Sequence, residues 1–74
     1  MAIIFSRHAR RQMKWRRVSE ADAVSVLVAP DRVEPSLDGR IHAYKLLGER
    51  LLKATYVEEK ENIVVITVIE KESA

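Results

Sequence analysis

A few side chains of this chain, different in type and far apart in sequence, could carry out chemistry on a phosphodiester. Histidine titrates near neutral pH, so His8 could transfer a proton or contact a phosphate. A Tyr–Lys–His group over a sheet could cleave the ester without a metal: Lys53 would stabilise the phosphorane charge, and Tyr44 or Tyr56 could move a proton. Histidines and strand tyrosines often serve only in packing, and that alternative stays open.

Positive charge is concentrated between Ser6 and Arg17. This segment holds six of the thirteen basic residues and none of the eleven acidic ones, so the remaining chain carries seven basic and eleven acidic side chains. Such asymmetry favours an anionic partner, most commonly nucleic acid, and a tryptophan there could stack on a base. Pairing of these cations with the acidic remainder of the chain is the structural alternative. The candidate nucleic-acid-binding residues are Arg7, Arg10, Arg11, Lys14 and Trp15.

The composition limits the class of protein. A chain of 74 residues without cysteine predicts a single domain over residues 1–74, with no disulfide and no thiolate metal site. His8 and His42 stand alone, so we expect no metal and no cofactor. No apolar run is long enough for a signal sequence or a membrane span, and we expect a cytoplasmic protein. Because so short a chain builds a small core, we also expect a homodimer or a partner chain.

The first helix is predicted over residues 7–16. This stretch lacks glycine, proline and β-branched residues, and it follows Ser6, which can cap the helix. Ala9 and Met13 should face the core. An adjoining face should carry His8, Arg11, Gln12 and Trp15, while Arg7, Arg10 and Lys14 should point to solvent.

The second helix is predicted to begin after Ser19 and to end before Pro30. Ser19 and Asp22 have the spacing of a capping box, and the residue before a proline avoids the helical conformation. We expect its apolar stripe to be Ala21, Val24, Leu27 and Val28, with Ala23 and Val26 forming an unusually apolar back.

The remaining segments predict strands. They cover residues 2–5, an edge strand at 32–35, and strands at 40–47, 50–58 and 63–69, with a type I′ turn at Asp38-Gly39 and a type II′ turn at Gly48-Glu49. His42 should lie on an exposed strand surface. The predicted fold is α+β: a short N-terminal strand, two helices, then an antiparallel sheet of three to four strands with both helices on one face.

Several short motifs occur here in the order typical of one known family. The chain resembles the small bacterial and archaeal domain-of-unknown-function family 4258 over nearly all of residues 3–69. Gln12 and Arg17 depart from its pattern, since the family often has arginine and glycine at these places. The motifs are Phe5-Ser6-Arg7-His8-Ala9, Met13, Arg16, Val18-Ser19, Pro30-Asp31 and Ile66-Thr67-Val68.

That family looks similar to the RelE/ParE and BrnT toxin superfamily, many of whose members are ribonucleases. The resemblance implies a RelE/BrnT-like, RNA-binding toxin-like domain, acting as a metal-independent endoribonuclease of a toxin–antitoxin system with an antitoxin-like protein as partner. His8 would transfer the proton, and Arg16 with Arg11 would hold the scissile phosphate; Lys53 and Tyr56 complete the candidate catalytic set. The net acidic end of the last strand departs from RelE-type enzymes, which usually place basic residues there.

The alternative hypothesis is a non-catalytic, dimeric protein-interaction module with a toxin-like fold. The small core and the apolar back predicted for the second helix favour it. Binding of DNA by the first helix is a weaker alternative, because the two helices are not clearly spaced as a helix-turn-helix.

Overall fold

A computed structural model describes residues 2–71, which form two helices and five strands. In chain order these are β1 (Ile3–Phe5), α1 (Arg7–Arg16), α2 (Glu20–Val28), β2 (Arg32–Pro35), β3 (Ile41–Leu47), β4 (Arg50–Glu59) and β5 (Asn62–Lys71). The predicted α+β class and the positions of the helices and strands are confirmed. The end of the charged C-terminal tail lies outside the described residues.

The sheet has the order β1-β5-β4-β3-β2. Strands β2 to β5 pair antiparallel, but β1 pairs parallel with β5. The expectation of an antiparallel sheet of three to four strands was therefore wrong, and the sheet is mixed and five-stranded. The reason is that β1 supplies hydrogen-bond partners to one edge of β5: Ser6 N–H donates to the carbonyl of Val65, and Ile63 N–H donates to that of Ala2, both at 2.9 Å.

Both helices cover one face of the sheet. Helix α1 packs on β5 and β1, and α2 packs on β3 and β4. A register shift between β4 and β5 at Thr55/Tyr56 inserts one extra residue into β5, so Val65 and Val68 both face the helices although they are three residues apart. The buried strand residues of this core are Phe5, Ala43, Leu52, Ala54, Val65 and Val68.

Helix α1 begins and ends as its sequence predicts. The hydroxyl oxygen of Ser6 accepts the N–H of Ala9 at 3.0 Å, and Arg17 ends the helix in the left-handed conformation with φ of 56°. Ala9 and Met13 are buried, as predicted. A non-glycine residue at position 17 therefore carries the strain that the family usually avoids with glycine.

The predicted orientation of α2 was wrong in part. Leu27 is buried and Val24 packs against the core, as predicted, but Ala23 and Val26 are buried as well, whereas Val28 is 72% exposed. Helix α2 lies over β3 and β4, where Ala43 and Ala54 present small side chains, so the small Ala23 side chain fits this close contact. Helix α2 has apolar residues on more than one side, so their periodicity alone could not identify the packed side.

One of the two predicted turns differs from its expected type. The connection from β2 to β3 is the five-residue segment 36–40, and Gly39, but not Asp38, has a positive φ, so it is not a type I′ turn. Hydrogen bonds from the Ser36 hydroxyl and the Arg40 N–H lower the pKa of Asp38 and stabilise this loop. Gly48 has φ of 63° in the two-residue connection to β4, consistent with the predicted type II′ turn.

Candidate functional site

Helix α1 and strand β5 enclose a pocket of about 340 Å³. Its helical residues recur at intervals of three and four, which places them on one side of α1. This is the adjoining face that the sequence predicts, together with Arg16. The pocket is lined by His8, Arg11, Gln12, Trp15, Arg16, Val68 and Ile69.

The pocket exists because β1 is much shorter than β5. Pairing between the two ends at Phe5 and Val65, so within residues 2–71 the rest of β5 has no neighbouring strand on that side. Helix α1 runs beside this edge, and side chains at its start and middle form hydrogen bonds with some of the free backbone groups. Gln12 Oε1 accepts the N–H of Val68, and the Ser6 hydroxyl donates to the carbonyl of Ile66, both at 2.9 Å. This acceptor role of Gln12 has no signal in the sequence.

Trp15 lies at the rim of the pocket and is 82% exposed. The indole is therefore not part of the core that residues 2–71 form. The guanidinium of Arg16 lies 5.8 Å from the centre of the indole. An exposed indole beside a cation offers a flat surface on which an aromatic base can stack.

Arg50 fixes the end of α1 that carries Trp15 and Arg16. Its Nη2 donates to the carbonyl oxygen of Arg16 at 2.7 Å, and its Nη1 donates to that of Arg17 at 3.2 Å. The same guanidinium pairs with Glu70 of β5 at 2.9 Å. Arg50 therefore joins the C-terminal carbonyls of the helix to the sheet, a role that only the tertiary structure reveals.

The other basic residues of α1 lie outside the pocket. Arg7, Arg10 and Lys14 are exposed, as predicted. Arg10 pairs with Glu20 at 2.8 Å, so pairing with the acidic remainder of the chain is found for this cation. Within residues 2–71, no carboxylate forms an ion pair with Arg11 or Arg16. The pocket consequently combines unneutralised cations with one histidine.

Lys53 and Tyr56 do not join His8 in the pocket. They lie three residues apart on β4, so they face opposite sides of the sheet. Tyr56 lies on the helix-covered side, where burial, with a further contribution from the charge of Glu58, raises its pKa. Lys53 lies on the open side, 5.7 Å from the centre of the Tyr44 ring.

His42 is less exposed than predicted. Its side chain lies on the open face of the sheet, and its Nδ1 is 2.9 Å from the hydroxyl oxygen of Thr55 on the neighbouring strand. The prediction of an exposed strand surface was therefore wrong, because a cross-strand pair partly buries the ring.

Among residues 2–71, no three histidine or acidic side chains are grouped so that they could hold a metal ion. None of the helices described has the length and apolar character that a membrane crossing requires.

The fold and the pocket define a small α+β domain with a basic pocket at the free edge of a mixed sheet. The family model described as "Domain of unknown function (DUF4258)" matches residues 5–70, and the chain belongs to this family. No significant match is found among curated proteins or among solved structures.

Proposed function

We propose that this chain is an RNA-binding, toxin-like domain whose RNA site is the pocket between α1 and β5. The observation that carries the proposal is that one pocket gathers His8, Arg11, Arg16 and Trp15. Basic charge and an exposed aromatic ring are features that bind a single strand, and a histidine can transfer the proton during cleavage.

In this proposal Arg11 and Arg16 bind a phosphate, since arginine presents paired N–H donors to its oxygens. Trp15 stacks on a neighbouring base. Arg50 keeps Arg16 in place through the carbonyl contacts at the end of α1. The site therefore binds a single strand through its phosphates and its stacked bases, without contacts to base edges.

Cleavage would follow from the position of His8. The neutral imidazole accepts the proton of a ribose 2′-hydroxyl, the 2′-oxygen forms a bond to the adjacent phosphorus, and the bond from phosphorus to the 5′-oxygen breaks. The departing 5′-oxygen takes a proton from water, the hydroxide that remains takes the proton from His8, and the products are a 2′,3′-cyclic phosphate and a 5′-hydroxyl. Arg11 and Arg16 stabilise the charge that develops on the phosphorane.

The toxin-like part of the proposal is supported by the resemblance of the family to the RelE/ParE and BrnT superfamily. Two helices on one face of a sheet fit that RelE/BrnT-like architecture. An antitoxin-like partner, a homodimeric state and a cytoplasmic location belong to the same proposal. Lys53 and Tyr56 have no part in the cleavage step, because neither lines the pocket.

The decisive experiment compares two variants that each introduce one glutamine. His8→Gln removes the proton acceptor, whereas Glu61→Gln changes an exposed residue outside the pocket. We expect controlled expression of the wild type and of Glu61→Gln to arrest growth with cleavage of cellular RNA, and His8→Gln to abolish both. Cleavage by His8→Gln at the rate of Glu61→Gln would remove His8 from the mechanism.

Binding is tested separately from cleavage. Purified protein should bind single-stranded RNA at low salt, and the affinity should fall as the salt concentration rises. Absence of binding at low salt would overturn the whole proposal. Binding without cleavage would retain the RNA site and reject the ribonuclease activity.

One of the two observations that favoured a non-catalytic interaction module does not hold in the structure. Ala23 and Val26, which were expected to form an exposed apolar back on α2, are buried against the sheet. Self-association stays a prediction, and sedimentation at micromolar concentration tests it.

A further inference from the structure

Three cations surround one tyrosine on the face of the sheet opposite to α1 and α2. The guanidinium of Arg32 lies 4.4 Å from the centre of the Tyr44 ring. The ammonium groups of Lys53 and Lys71 lie at 5.7 Å and 5.8 Å from the same centre. Tyr44 is only 7% exposed, and the aliphatic stems of long cationic side chains can pack over such a ring.

The strand register creates this cluster. Tyr44 of β3 is paired with Arg32 of β2 on one side and with Lys53 of β4 on the other, so the three side chains form one row across the sheet. Lys53 is paired in turn with Ile69 of β5. Lys71 follows two residues after Ile69 and therefore points to the same face.

The cluster is short of negative charge. Its one ion pair within residues 2–71 joins Arg32 to Glu34 at 3.9 Å, and both side chains are more than half exposed. Such a pair contributes little. The tyrosine ring attracts each cation, but the cations repel one another, so an anion bound between them would lower the energy of the arrangement. A second copy docked on this cluster would bring cation against cation, which argues against a symmetric dimer here.

The same row leads to the pocket. Ile69 lines the pocket and is paired with Lys53, so the pocket rim, Lys53, Tyr44 and Arg32 follow one another across β5, β4, β3 and β2. Three strand spacings separate Ile69 from Arg32, which is about 14 Å. That length is sufficient for a few nucleotides of an extended single strand.

We propose that single-stranded RNA bound in the α1 pocket continues across the open face of the sheet, and that Arg32, Lys53 and Lys71 bind its phosphates. Tyr44 is a positioning residue that holds the three cations at the surface. The inference rests on the proposed RNA binding by the pocket and adds the path of the strand beyond it.

The test compares two double variants that remove equal charge. Arg32→Gln with Lys53→Gln removes two cations from the row, and Arg40→Gln with Lys60→Gln removes two exposed cations from loops away from it. Affinity for a short single-stranded RNA is measured over a range of salt concentrations. The first variant should bind more weakly and lower the salt slope by about 1.4, because each phosphate contact to a single strand contributes about 0.7. The second variant should keep the wild-type slope.

A dinucleotide, which is too short to leave the pocket, should bind the wild type and the Arg32/Lys53 variant equally. If the two double variants show equal salt slopes with the longer RNA, the path across the sheet is overturned. The pocket proposal stays intact in that case as long as the wild type binds this RNA. The path would also be overturned if the Arg32/Lys53 variant lost as much affinity for the dinucleotide as for the longer RNA. If the double variant melts below the wild type, Lys71→Gln at the exposed strand end gives the same comparison, with an expected slope change of about 0.7.

Discussion

The side-chain oxygen of Gln12 accepts a hydrogen bond of 2.9 Å from the backbone N–H of Val68. This contact attaches the middle of α1 to the part of β5 that lies beyond its pairing with β1. An arginine, which the family often has at this place, carries only donors and could not accept this bond. Gln12 therefore exchanges a cation for a structural contact, and the pocket keeps Arg11 and Arg16 as its cations.

Replacement of Gln12 by methionine should lower the free energy of unfolding by about 1–2 kcal/mol, since the partly buried N–H of Val68 loses its partner. Gln12→Glu retains an acceptor and should cost less. Chemical denaturation of both variants measures the difference. Equal losses would show that the hydrogen bond does not stabilise the fold.

Replacement of Arg50 should loosen the end of α1. Arg50→Ala removes the donors to the carbonyls of Arg16 and Arg17 and the pair with Glu70. We expect a loss of about 1–2 kcal/mol, because the contacts are partly solvent-exposed. We also expect faster hydrogen exchange in the last turn of α1 and weaker RNA binding. Glu70→Gln is the matched control, since it keeps the carbonyl contacts. RNA affinity unchanged in Arg50→Ala would contradict a positioning role.

The two N-caps should differ in strength. Ser6 accepts the N–H of Ala9 and donates to the carbonyl of Ile66, whereas the Ser19 side chain accepts the N–H of Asp22 at 3.0 Å. Ser6→Ala should cost about 2 kcal/mol and Ser19→Ala about 1 kcal/mol. Thermal melting of the two variants tests the order, and a larger loss for Ser19→Ala would reverse this interpretation.

Tyr56 should make the fold sensitive to alkali. Burial, with a contribution from Glu58, raises its pKa in the folded state. The unfolded chain therefore releases this proton first as the pH rises through the ordinary tyrosine value of about 10, and stability falls above that pH. Melting temperatures of the wild type and of Tyr56→Phe, measured from about pH 8 to about pH 11, should diverge at the alkaline end. Parallel curves would contradict the prediction.

Trp15 should matter for binding and not for folding. Its side chain is 82% exposed, so Trp15→Ala should change the free energy of unfolding by no more than about 0.5 kcal/mol. The loss of a stacking surface should weaken RNA binding by about 1–3 kcal/mol, or roughly fivefold to 150-fold. Trp15→Phe should recover part of this loss. Wild-type affinity in Trp15→Ala would exclude stacking on the indole.

The local structure of α1 could be predicted from its residues because its determinants are local. The Ser6 cap, the absence of breakers over residues 7–16 and the placement of Ala9 and Met13 depend on neighbours within one or two turns. The shared face of His8, Arg11, Gln12 and Trp15 follows from helical spacing alone. These features sufficed to identify most of the pocket lining.

Only the tertiary structure decided which parts of the sheet meet these residues. The parallel pairing of β1 with β5, the packed side of α2 and the row of Arg32, Tyr44 and Lys53 depend on contacts between residues far apart in the chain. Hydrophobic periodicity carries no information about the strand that becomes a neighbour or the edge that stays free. The sequence by itself determined a basic helix with a histidine, and strand pairing decided that this helix lies beside an open edge and leads to a cationic face.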